Sequence, residues 1–456
     1  MENIQFWDRE KELEKCKKMG GGNFFLVVKG RRRIGKTTLL RKAFPEAAYI
    51  FVWPNKSLDW ITAKVAEEYN LPQFKNFVDL VGYLLGQKKT IIIDEFQNFL
   101  GVDKSVYGEM QKLVDEKKKD FLKLAVAGSS YSLMNKVLSS VASPLYGRRT
   151  AEITLDHLPI KDVFENSKKD IENFFKLWSV FEGVPYYYEL LDQSPAEDNI
   201  KRLILSKSST LQDEGKAVLS VEFGQDSKTY NTVLTSIAEG KTKLNEIAGM
   251  FGNKKTEAIK YIDMLRKEFK LVRRSTPLLS NPKKSREGQY EIIDNFLEFW
   301  LYFMERNKDY IEQRRFREVE KFFEEKFSAF LGRKFEKFVT NLIENKTIGL
   351  PFDADKIGRQ WGSIPTEPRE SNQYEIDIVA LEEKGKNILF CECKWQDNVN
   401  PEKVLEELKE KTKFVDWNLG NRKEYYCVIA KSFAKKIKGE NVILYDLRDL
   451  EKLLSR

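Results

Sequence analysis

Residues 24–37 read Phe24-Phe-Leu-Val-Val-Lys-Gly-Arg-Arg-Arg-Ile-Gly-Lys-Thr37, an apolar run of strand-forming residues followed by a loop of the form G-x-x-x-x-G-K-T. The residues after this loop favour a helix. In such a loop the glycines let backbone amides turn toward phosphate oxygens, and the N-terminus of the helix adds a positive dipole. We therefore predict a phosphate-binding loop, with ATP as the ligand.

Two residues of this loop have roles that follow from their chemistry. Lys36 would contact the β- and γ-phosphates of the nucleotide, and the hydroxyl of Thr37 would hold Mg²⁺. The residues that we expect to contact the nucleotide are Gly30, Arg31, Arg32, Arg33, Ile34, Gly35, Lys36, Thr37 and Thr38.

A second apolar run, Ile91-Ile-Ile-Asp94-Glu95, ends in two carboxylates. Asp94 suits the coordination shell of Mg²⁺, and Glu95 suits the positioning or activation of water. A further run ends in Gly128-Ser129-Ser130. Its hydroxyls either lie near the γ-phosphate or belong to an ordinary polar turn.

Short apolar strands alternate with helical stretches over the first 155 residues, which is typical of an α/β domain with a parallel sheet. A helical region then follows, and we interpret it as a lid over the nucleotide. The predicted strands are Phe24–Val28, Ala48–Val52, Thr90–Asp94 and Lys123–Ala127.

Composition limits the class of protein. The 456 residues include 78 Lys and Arg against 70 Asp and Glu, a net charge of +8, which permits a polyanionic partner but does not establish one. No apolar run approaches the roughly 20 residues of a membrane span. The four cysteines form no C-x-x-C pair, and the single His157, which we interpret as a turn residue, argues against a histidine-based zinc site. These features predict a cytoplasmic protein with no membrane partner.

The middle of the chain predicts three helices, at 228–239, 243–250 and 254–268, followed by strands at 270–274 and 289–293 around a basic loop. This order is typical of a winged helix. The basic residues on its recognition helix and wing would contact DNA phosphates, although the alternative is a protein-contact module. These residues are Lys254, Lys255, Lys260, Arg273, Arg274, Lys283, Lys284 and Arg286.

After a charged helical connector at 300–345, the sequence predicts three strands, at 375–381, 388–393 and 424–429, the first two joined by a turn at 382–386. Pairing of the first two can bring Asp377 beside Glu392. Alternation along the second strand places Glu392 and Lys394 on one face, opposite two cysteines that we expect to be buried. Two carboxylates suit Mg²⁺ or Mn²⁺, and a lysine suits the activation of water or the stabilisation of phosphate charge.

The motifs together resemble the archaeal and bacterial ATPases related to the AAA+ and STAND groups. The resemblance implies that Ser129 or Ser130 is a sensor residue and that Arg148 or Arg149 is a finger or sensor arginine. Such fingers commonly act in trans, so a homo-oligomer is an expected partner. The segments that carry the resemblance are Asp8-Arg-Glu10, Glu12-Leu13, the phosphate-binding loop, Asp94-Glu-Phe-Gln97, Ala127-Gly-Ser-Ser130, Pro144-Leu-Tyr-Gly-Arg148 and Gly183-Val-Pro185.

The C-terminal carboxylates and lysine resemble the active site of the PD-(D/E)XK nuclease-like fold, that of restriction endonucleases, in the spacing D-x(n)-(D/E)-x-K. Gly332-Arg-Lys-Phe-Glu336 is similar to the upstream helix of that fold, which implies Glu336 as an additional carboxylate. Ile357–Gly362 and Glu392–Trp395 also resemble the domain that follows ATPases of this type.

The sequence therefore predicts an α/β protein made of a P-loop ATPase core at 1–155, a helical lid at 156–222, a winged helix at 223–300, and a connector with a nuclease-like domain at 301–456. We expect a switch that binds and hydrolyses ATP, acts on nucleic acid, DNA or RNA, and carries a metal-dependent nuclease-like domain, with DNA as the expected partner. The alternatives are a non-catalytic, nucleotide-gated DNA-binding regulator and a signalling or defence scaffold.

Overall fold

A computed structural model of the chain describes residues 7–223, 227–252, 254–285, 287–364 and 372–455. Arg286, which we predicted on the wing, lies outside these residues. Within the described ranges, no helix is both long enough and apolar enough to cross a lipid bilayer.

The N-terminal part contains a five-stranded sheet whose order is β2-β3-β4-β1-β5, and all neighbouring strands in it are parallel. The four predicted strands are confirmed, and the short edge strand β5 was not predicted. The strands are β1 (Phe24–Gly30), β2 (Ala48–Phe51), β3 (Ile91–Asp94), β4 (Lys123–Gly128) and β5 (Ala151–Leu155). The helices around them are α1 (Glu10–Met19), α2 (Lys36–Ala43), α3 (Leu58–Glu68), α4 (Phe77–Gly86), α5 (Phe99–Val102), α6 (Ser105–Lys117) and α7 (Tyr131–Leu138).

The central strands of this sheet consist of apolar residues because helices cover both faces. Parallel strands place all their carboxyl ends at one edge of the sheet. The ends of β1, β3 and β4 therefore bring the phosphate-binding loop, Asp94 and Gly128 to the same edge.

A helical region follows the sheet, as predicted, and we call it the lid, although its role as a lid over the nucleotide stays a prediction. It packs Phe174, Phe175 and Trp178 of one helix into the largest hydrophobic cluster of the described chain. The helices are α8 (Ile160–Ser167), α9 (Ile171–Phe181), α10 (Pro185–Glu189), α11 (Ala196–Ile200), continued by a π-helical turn at Lys201–Leu205, and α12 (Glu214–Phe223).

The middle part has three helices and then two antiparallel strands, in the predicted order. The winged-helix interpretation of this arrangement stays a prediction. The elements are α13 (Ser227–Ala238), α14 (Leu244–Ala248), α15 (Lys255–Lys267), β6 (Val272–Ser275) and β7 (Gln289–Ile292), and the chain continues through α16 (Asn295–Phe303) and α17 (Lys308–Glu312) to α18 (Phe316–Glu344).

Helix α18 corrects our interpretation of 300–345 as a charged connector. One face of this helix is buried, and its phenylalanines contact the lid: the ring centroids of Phe335 and Phe175 are 5.3 Å apart, and those of Phe338 and Trp178 are 5.0 Å apart. Apolar residues at helical spacing bury one stripe while the charged residues face water. The helix is therefore a central packing element between the lid and the C-terminal sheet.

The C-terminal part contains a second five-stranded sheet, of order β12-β11-β10-β9-β8. It is mixed, because β8, β9 and β10 pair antiparallel whereas β10, β11 and β12 pair parallel. The predicted turn between β9 and β10 is confirmed. The elements are β8 (Lys356–Ser363), β9 (Gln373–Glu382), β10 (Asn387–Lys394), α19 (Pro401–Thr412), β11 (Lys423–Ala430), β12 (Val442–Tyr445) and α20 (Leu447–Leu454).

A network of charged side chains built around two buried carboxylates joins these parts. Asp294, which caps α16, forms an ion pair with Arg31 of the phosphate-binding loop. His157 lies between two carboxylates, with its Nε2 3.5 Å from Asp294 and its Nδ1 3.6 Å from Glu182. Glu182 in turn accepts a 2.7 Å hydrogen bond from Lys337 of α18. We call these five side chains the inter-domain charge network.

This network corrects our interpretation of His157 as a simple turn residue. Burial opposes ionisation of Glu182, but the nearby His157 and Lys337 outweigh burial and lower the pKa of that carboxyl to about 2. Burial also opposes ionisation of Asp294, and Arg31 together with His157 holds its pKa well below the usual value. Both carboxyls are therefore ionised in the folded protein at neutral pH.

The network predicts a pH-dependent contribution to stability. A carboxyl with a lowered pKa stabilises the fold above its unfolded pKa, and that stability is lost as the pH falls through the folded pKa. At pH 7 we expect Glu182→Gln to lower the free energy of unfolding by about 3–5 kcal/mol, because it leaves Lys337 without its buried partner. The difference should shrink between pH 4.5 and pH 2, as measured by urea unfolding.

The matched control is Glu165→Gln, which removes an exposed carboxylate paired with Lys161. It should change the free energy of unfolding by less than about 1 kcal/mol at any pH. A Glu182→Gln effect of equal size at pH 7 and pH 3 would contradict the electrostatic explanation.

Candidate functional site

The phosphate-binding loop has the backbone that its glycines require. Gly35, which precedes α2, has a φ of 96°, in the left-handed region that disfavours a side chain. At Gly30 a Cβ atom would lie 2.7 Å from the carbonyl oxygen of Leu155, so the loop approaches β5 too closely for any other residue. The two glycines therefore shape a loop that leads directly into the helix N-terminus.

Lys36 lies inside this loop. Its Nζ donates to the carbonyl oxygens of Gly30 and Arg31 at 2.9 and 2.8 Å and to Ser129 Oγ at 3.0 Å. Burial lowers the pKa of Lys36 to about 8, although the carboxylates of Glu95 and Asp94 act in the opposite direction. These hydrogen bonds hold the ammonium group inside the loop, where it can contact a bound anion.

Thr37 and Asp94, which we predicted as ligands of one metal ion, are in direct contact. Thr37 Oγ1 donates to Asp94 Oδ2 at 2.5 Å, and the hydroxyl of Tyr49 donates to the same oxygen at 2.9 Å. The other oxygen, Oδ1, accepts the backbone N–H of Glu95 at 2.9 Å. A hydroxyl and a carboxylate are hard oxygen ligands and fit Mg²⁺.

Glu95 occupies a left-handed backbone position with a φ of 54°. One carboxylate oxygen accepts from Ser129 Oγ at 2.5 Å, and the other accepts from the Gln97 amide at 2.5 Å. Ser129 therefore bridges Glu95 and Lys36. The structure brings together five predicted residues at this edge of the sheet, namely Lys36, Thr37, Asp94, Glu95 and Ser129.

The three arginines of the loop pair with acids from distant parts of the chain. Arg31 pairs with Asp294, while Arg32 and Arg33 lie 3.4 and 2.9 Å from the same oxygen of Glu214. The guanidinium of Arg33 also lies 4.1 Å from the ring centroid of Tyr186. Of the remaining loop residues, Ile34 is buried and Thr38 is partly buried on α2.

A cavity of about 440 Å³ adjoins the loop and lies between the core, the lid and the middle part. Glu222 of α12 lines it and accepts a 2.9 Å hydrogen bond from Ser130. Its lining includes Gly30, Ser129, His157, Val184, Phe269 and Asp294.

Arg148 and Arg149 are not brought to the phosphate-binding loop of their own chain. Arg148 makes a two-pronged contact with Asp115 of α6, with both donor–acceptor distances at 2.8 Å. Arg149 lies 3.2 Å from Glu152 of β5. A finger role in a second copy of the chain stays a prediction.

The basic residues of the middle part divide into two groups. Arg274 donates to the carbonyl oxygens of Pro282 and Ser285, so it holds the loop between β6 and β7, and Arg273 pairs with Glu291 at 2.8 Å. The others are exposed, and they are Lys254, Lys255, Lys260, Lys283 and Lys284.

In the C-terminal sheet, Asp377 and Glu392 lie on adjacent strands as predicted. The antiparallel register pairs Cys391 with Ile378, so Glu392 comes next to Asp377. Asp377 also accepts the backbone N–H of Cys393 at 2.8 Å. Both cysteines of the strand are buried, as predicted.

Glu336 of α18 completes a group of three carboxyls. Burial, followed by the negative charge of Asp377, raises the pKa of Glu336 to about 8. Burial and the charge of Glu392 raise the pKa of Asp377 to about 6. Carboxyls that raise one another's pKa in this way lie near each other, and their hard oxygens are of the type that Mg²⁺ or Mn²⁺ prefers.

Three basic side chains surround these carboxyls. Glu392 is buried and accepts from Lys394 and Lys411, each at 2.7 Å. Arg359 of β8 contacts Glu375 and lies 3.9 Å from Glu336 and 3.0 Å from Glu291 of the middle part. The C-terminal cluster therefore reaches the hairpin of the middle part through Arg359.

Sequence reasoning missed Asp294, Glu182 and Lys337 of the charge network, as well as Tyr49 and Lys411. Asp294 carries a readable local signal, because an Asp before an apolar helical run is a typical N-cap. Nothing in the local sequence indicates its pairing with Arg31, since that contact depends on how distant elements pack.

Comparison with known proteins extends these observations. Residues 23–163 match a family model described as an AAA domain, and residues 300–410 match one described as archaeal and bacterial proteins of unknown function. The uncharacterized protein MJECL04 of Methanocaldococcus jannaschii is 32% identical over 465 residues, which cover 97% of this chain and 99% of that protein.

Two solved structures are also similar. The Walker-type ATPase PABY2304 of Pyrococcus abyssi is 17% identical, with a TM-score of 0.48 over 66% of this chain and 97% of that one. The ORC2 protein of Aeropyrum pernix is 13% identical, with a TM-score of 0.47 over 68% and 95% of the two chains.

The family models assign the N-terminal part to the AAA type of P-loop ATPase domain and leave the C-terminal part with no known function. Because the match to the Methanocaldococcus jannaschii protein spans nearly all of both chains, this protein belongs to the same family as MJECL04.

Proposed function

We propose that the protein is a molecular switch that binds and hydrolyses ATP with Mg²⁺, acts on nucleic acid, and carries a metal-dependent nuclease-like site in its C-terminal part. The observation that carries the switch proposal is the inter-domain charge network. It runs from Arg31 in the phosphate-binding loop to Lys337, the neighbour of Glu336 in the C-terminal cluster.

For ATP hydrolysis, the chain offers groups that would bind the phosphates, hold the metal and orient water. Lys36 would exchange its loop carbonyls for the β- and γ-phosphates, and Ser129 would contact the terminal phosphate. Thr37 and Asp94 would hold Mg²⁺, which neutralises the phosphate oxygens. Glu95 would orient the attacking water, and the adjoining cavity would take the nucleoside.

Nucleotide binding would affect the rest of the protein because a phosphate group and Asp294 would compete for Arg31. A phosphate group near the loop would attract the guanidinium that Asp294 holds in this structure. A weaker Arg31–Asp294 pair would alter the balance of charge around His157, Glu182 and Lys337. Nucleotide binding would thereby shift α16 and α18 relative to the core.

We expect Glu95→Gln to bind ATP with nearly unchanged affinity and to lose at least about 100-fold in turnover, because an amide cannot act as a base toward water. Binding would be measured by calorimetry and turnover by phosphate release. Glu116→Gln, an exposed site on α6, is the matched control. Unchanged turnover in Glu95→Gln would move the catalytic role to another residue.

The coupling predicts a response far from the nucleotide. In the Glu95→Gln background, ATP should change amide hydrogen exchange over Phe316–Glu344, and adding Asp294→Asn should abolish that change while ATP still binds. An asparagine cannot form the charged pair with Arg31, so the network no longer depends on the nucleotide.

The matched control for this experiment is Asp353→Asn, which removes an exposed carboxylate 3.5 Å from Lys346. It should leave the exchange response intact. An unaltered response in Asp294→Asn would show that the network does not couple the two sites.

A specific observation supports the nuclease part of the proposal. Glu336, Asp377, Glu392 and Lys394 lie in one cluster although they come from a helix and two strands. Three carboxyls with a lysine can hold a divalent cation and stabilise charge on a phosphodiester. The exposed lysines of the middle part would bring nucleic acid to the protein through salt-sensitive phosphate contacts.

We expect plasmid or single-stranded DNA to be cut in Mg²⁺ or Mn²⁺, and Asp377→Ala and Lys394→Ala to abolish cutting. The rate should rise from pH 6 to pH 8, because Asp377 and Glu336 must lose protons to bind the cation. Assays with and without ATP would show whether the switch controls the site. Lys356→Ala, an exposed site paired with Glu383, is the matched control.

Two outcomes would favour the alternatives. Salt-sensitive DNA binding without cutting would support a nucleotide-gated regulator, whose C-terminal part serves for docking. Neither binding nor cutting would support a signalling or defence scaffold. A homo-oligomer in which Arg148 reaches a neighbouring nucleotide would require Arg148 to leave Asp115.

A further inference from the structure

Glu392 carries more positive charge around it than one carboxylate needs. Only 3% of its side chain is exposed, and each of its oxygens accepts from a different lysine at 2.7 Å, Oε2 from Lys394 and Oε1 from Lys411. One ammonium group suffices to neutralise one buried carboxylate. The second ammonium is balanced by the neighbouring Asp377, whose ionised form both lysines favour, and it would become available to another partner once a divalent cation neutralised the carboxyls.

Lys411 reaches this place because of the helix on which it lies. Asn400 caps the start of α19, and Val404, Leu405 and Leu408 bury one face of that helix. Lys411 follows Leu408 by three residues, so it lies on the same face and extends toward Glu392. Lys403 lies on the outer face and is exposed.

Both lysines also reach solvent. The side chains of Lys394 and Lys411 are 30% and 33% exposed, so a ligand can approach their ammonium groups while Glu392 stays buried between them. Asp377 is close enough for both lysines to favour its ionised form. The pair thus lies at the accessible edge of the carboxyl cluster.

We propose that Lys411 is a second phosphate-binding lysine of the C-terminal site. When a divalent cation is bound by the carboxyls, the Lys411 ammonium leaves Glu392 Oε1 and contacts a non-bridging oxygen of a nucleic-acid phosphodiester. This inference rests on the proposed nuclease function and adds a residue outside the D-x(n)-(D/E)-x-K pattern.

The role is electrostatic and requires no bond to Lys411. In the hydrolysis, a water oxygen forms a bond to phosphorus, and the bond from phosphorus to one sugar oxygen breaks. One water proton goes to solvent, and the departing sugar oxygen gains a proton. Negative charge builds on the non-bridging oxygens during this exchange, and the ammonium of Lys411 would stabilise it.

The test compares full-length wild type with Lys411→Met, Lys411→Arg and the outer-face control Lys403→Met. Mn²⁺ binding is measured by calorimetry without nucleic acid, and cutting of single-stranded DNA is measured separately. We expect Lys411→Met to bind Mn²⁺ as tightly as wild type or a few-fold more tightly, because one competing cation is gone from Glu392. Its cutting rate should fall at least tenfold.

The conservative variant separates phosphate binding from simple charge compensation. Lys411→Arg should recover part of the lost rate, because a guanidinium also binds phosphate, and Lys403→Met should match wild type in both measurements. A Lys411→Met protein that binds Mn²⁺ more weakly and has a lower melting temperature would show that Lys411 only compensates Glu392, which would overturn the proposal.

Two further outcomes distinguish failure of the Lys411 role from failure of the nuclease function. If wild type binds Mn²⁺ and cuts DNA while Lys411→Met cuts equally well, the role of Lys411 is wrong and the nuclease function stands. If wild type neither binds Mn²⁺ nor cuts DNA, the nuclease function fails and the role of Lys411 fails with it.

Discussion

The ion pair between Arg31 and Asp294 is the contact on which the arrangement of the whole chain depends. It joins the phosphate-binding loop to the cap of α16, and through His157 and Glu182 it extends to Lys337 on α18. Asp294 is buried, and an ion pair with a buried carboxylate is costly to form and costly to break on one side only. Such a contact specifies one arrangement of the parts more than it adds to their stability.

The same contact places the nucleotide site under the influence of the distal parts. All three arginines of the loop pair with acids that lie outside the core sheet, at Asp294 and Glu214. A phosphate group and a carboxylate compete for the same guanidinium donors. This competition is the physical basis on which we propose that the protein acts as a switch.

The C-terminal cluster is likewise built from several parts of the chain. Glu336 comes from α18, whose aromatic face packs on the lid, and Arg359 pairs with Glu291 of the middle part. Trp395, next to Lys394, contacts Phe175 of the lid with ring centroids 4.4 Å apart. A shift of the lid or of the middle part would therefore reach the carboxyls directly.

The sequence by itself determined the elements whose signals are local. The phosphate-binding loop, the strands before Asp94 and Ser129, and the pairing of Asp377 with Glu392 all follow from spacing and period, which depend on neighbouring residues. Tertiary structure alone decided the role of His157, the central position of α18, and the partners of Arg31 and Glu392. Those contacts join residues far apart in the chain, and they are selected because a charge that becomes buried when distant surfaces pack together is costly unless it is paired.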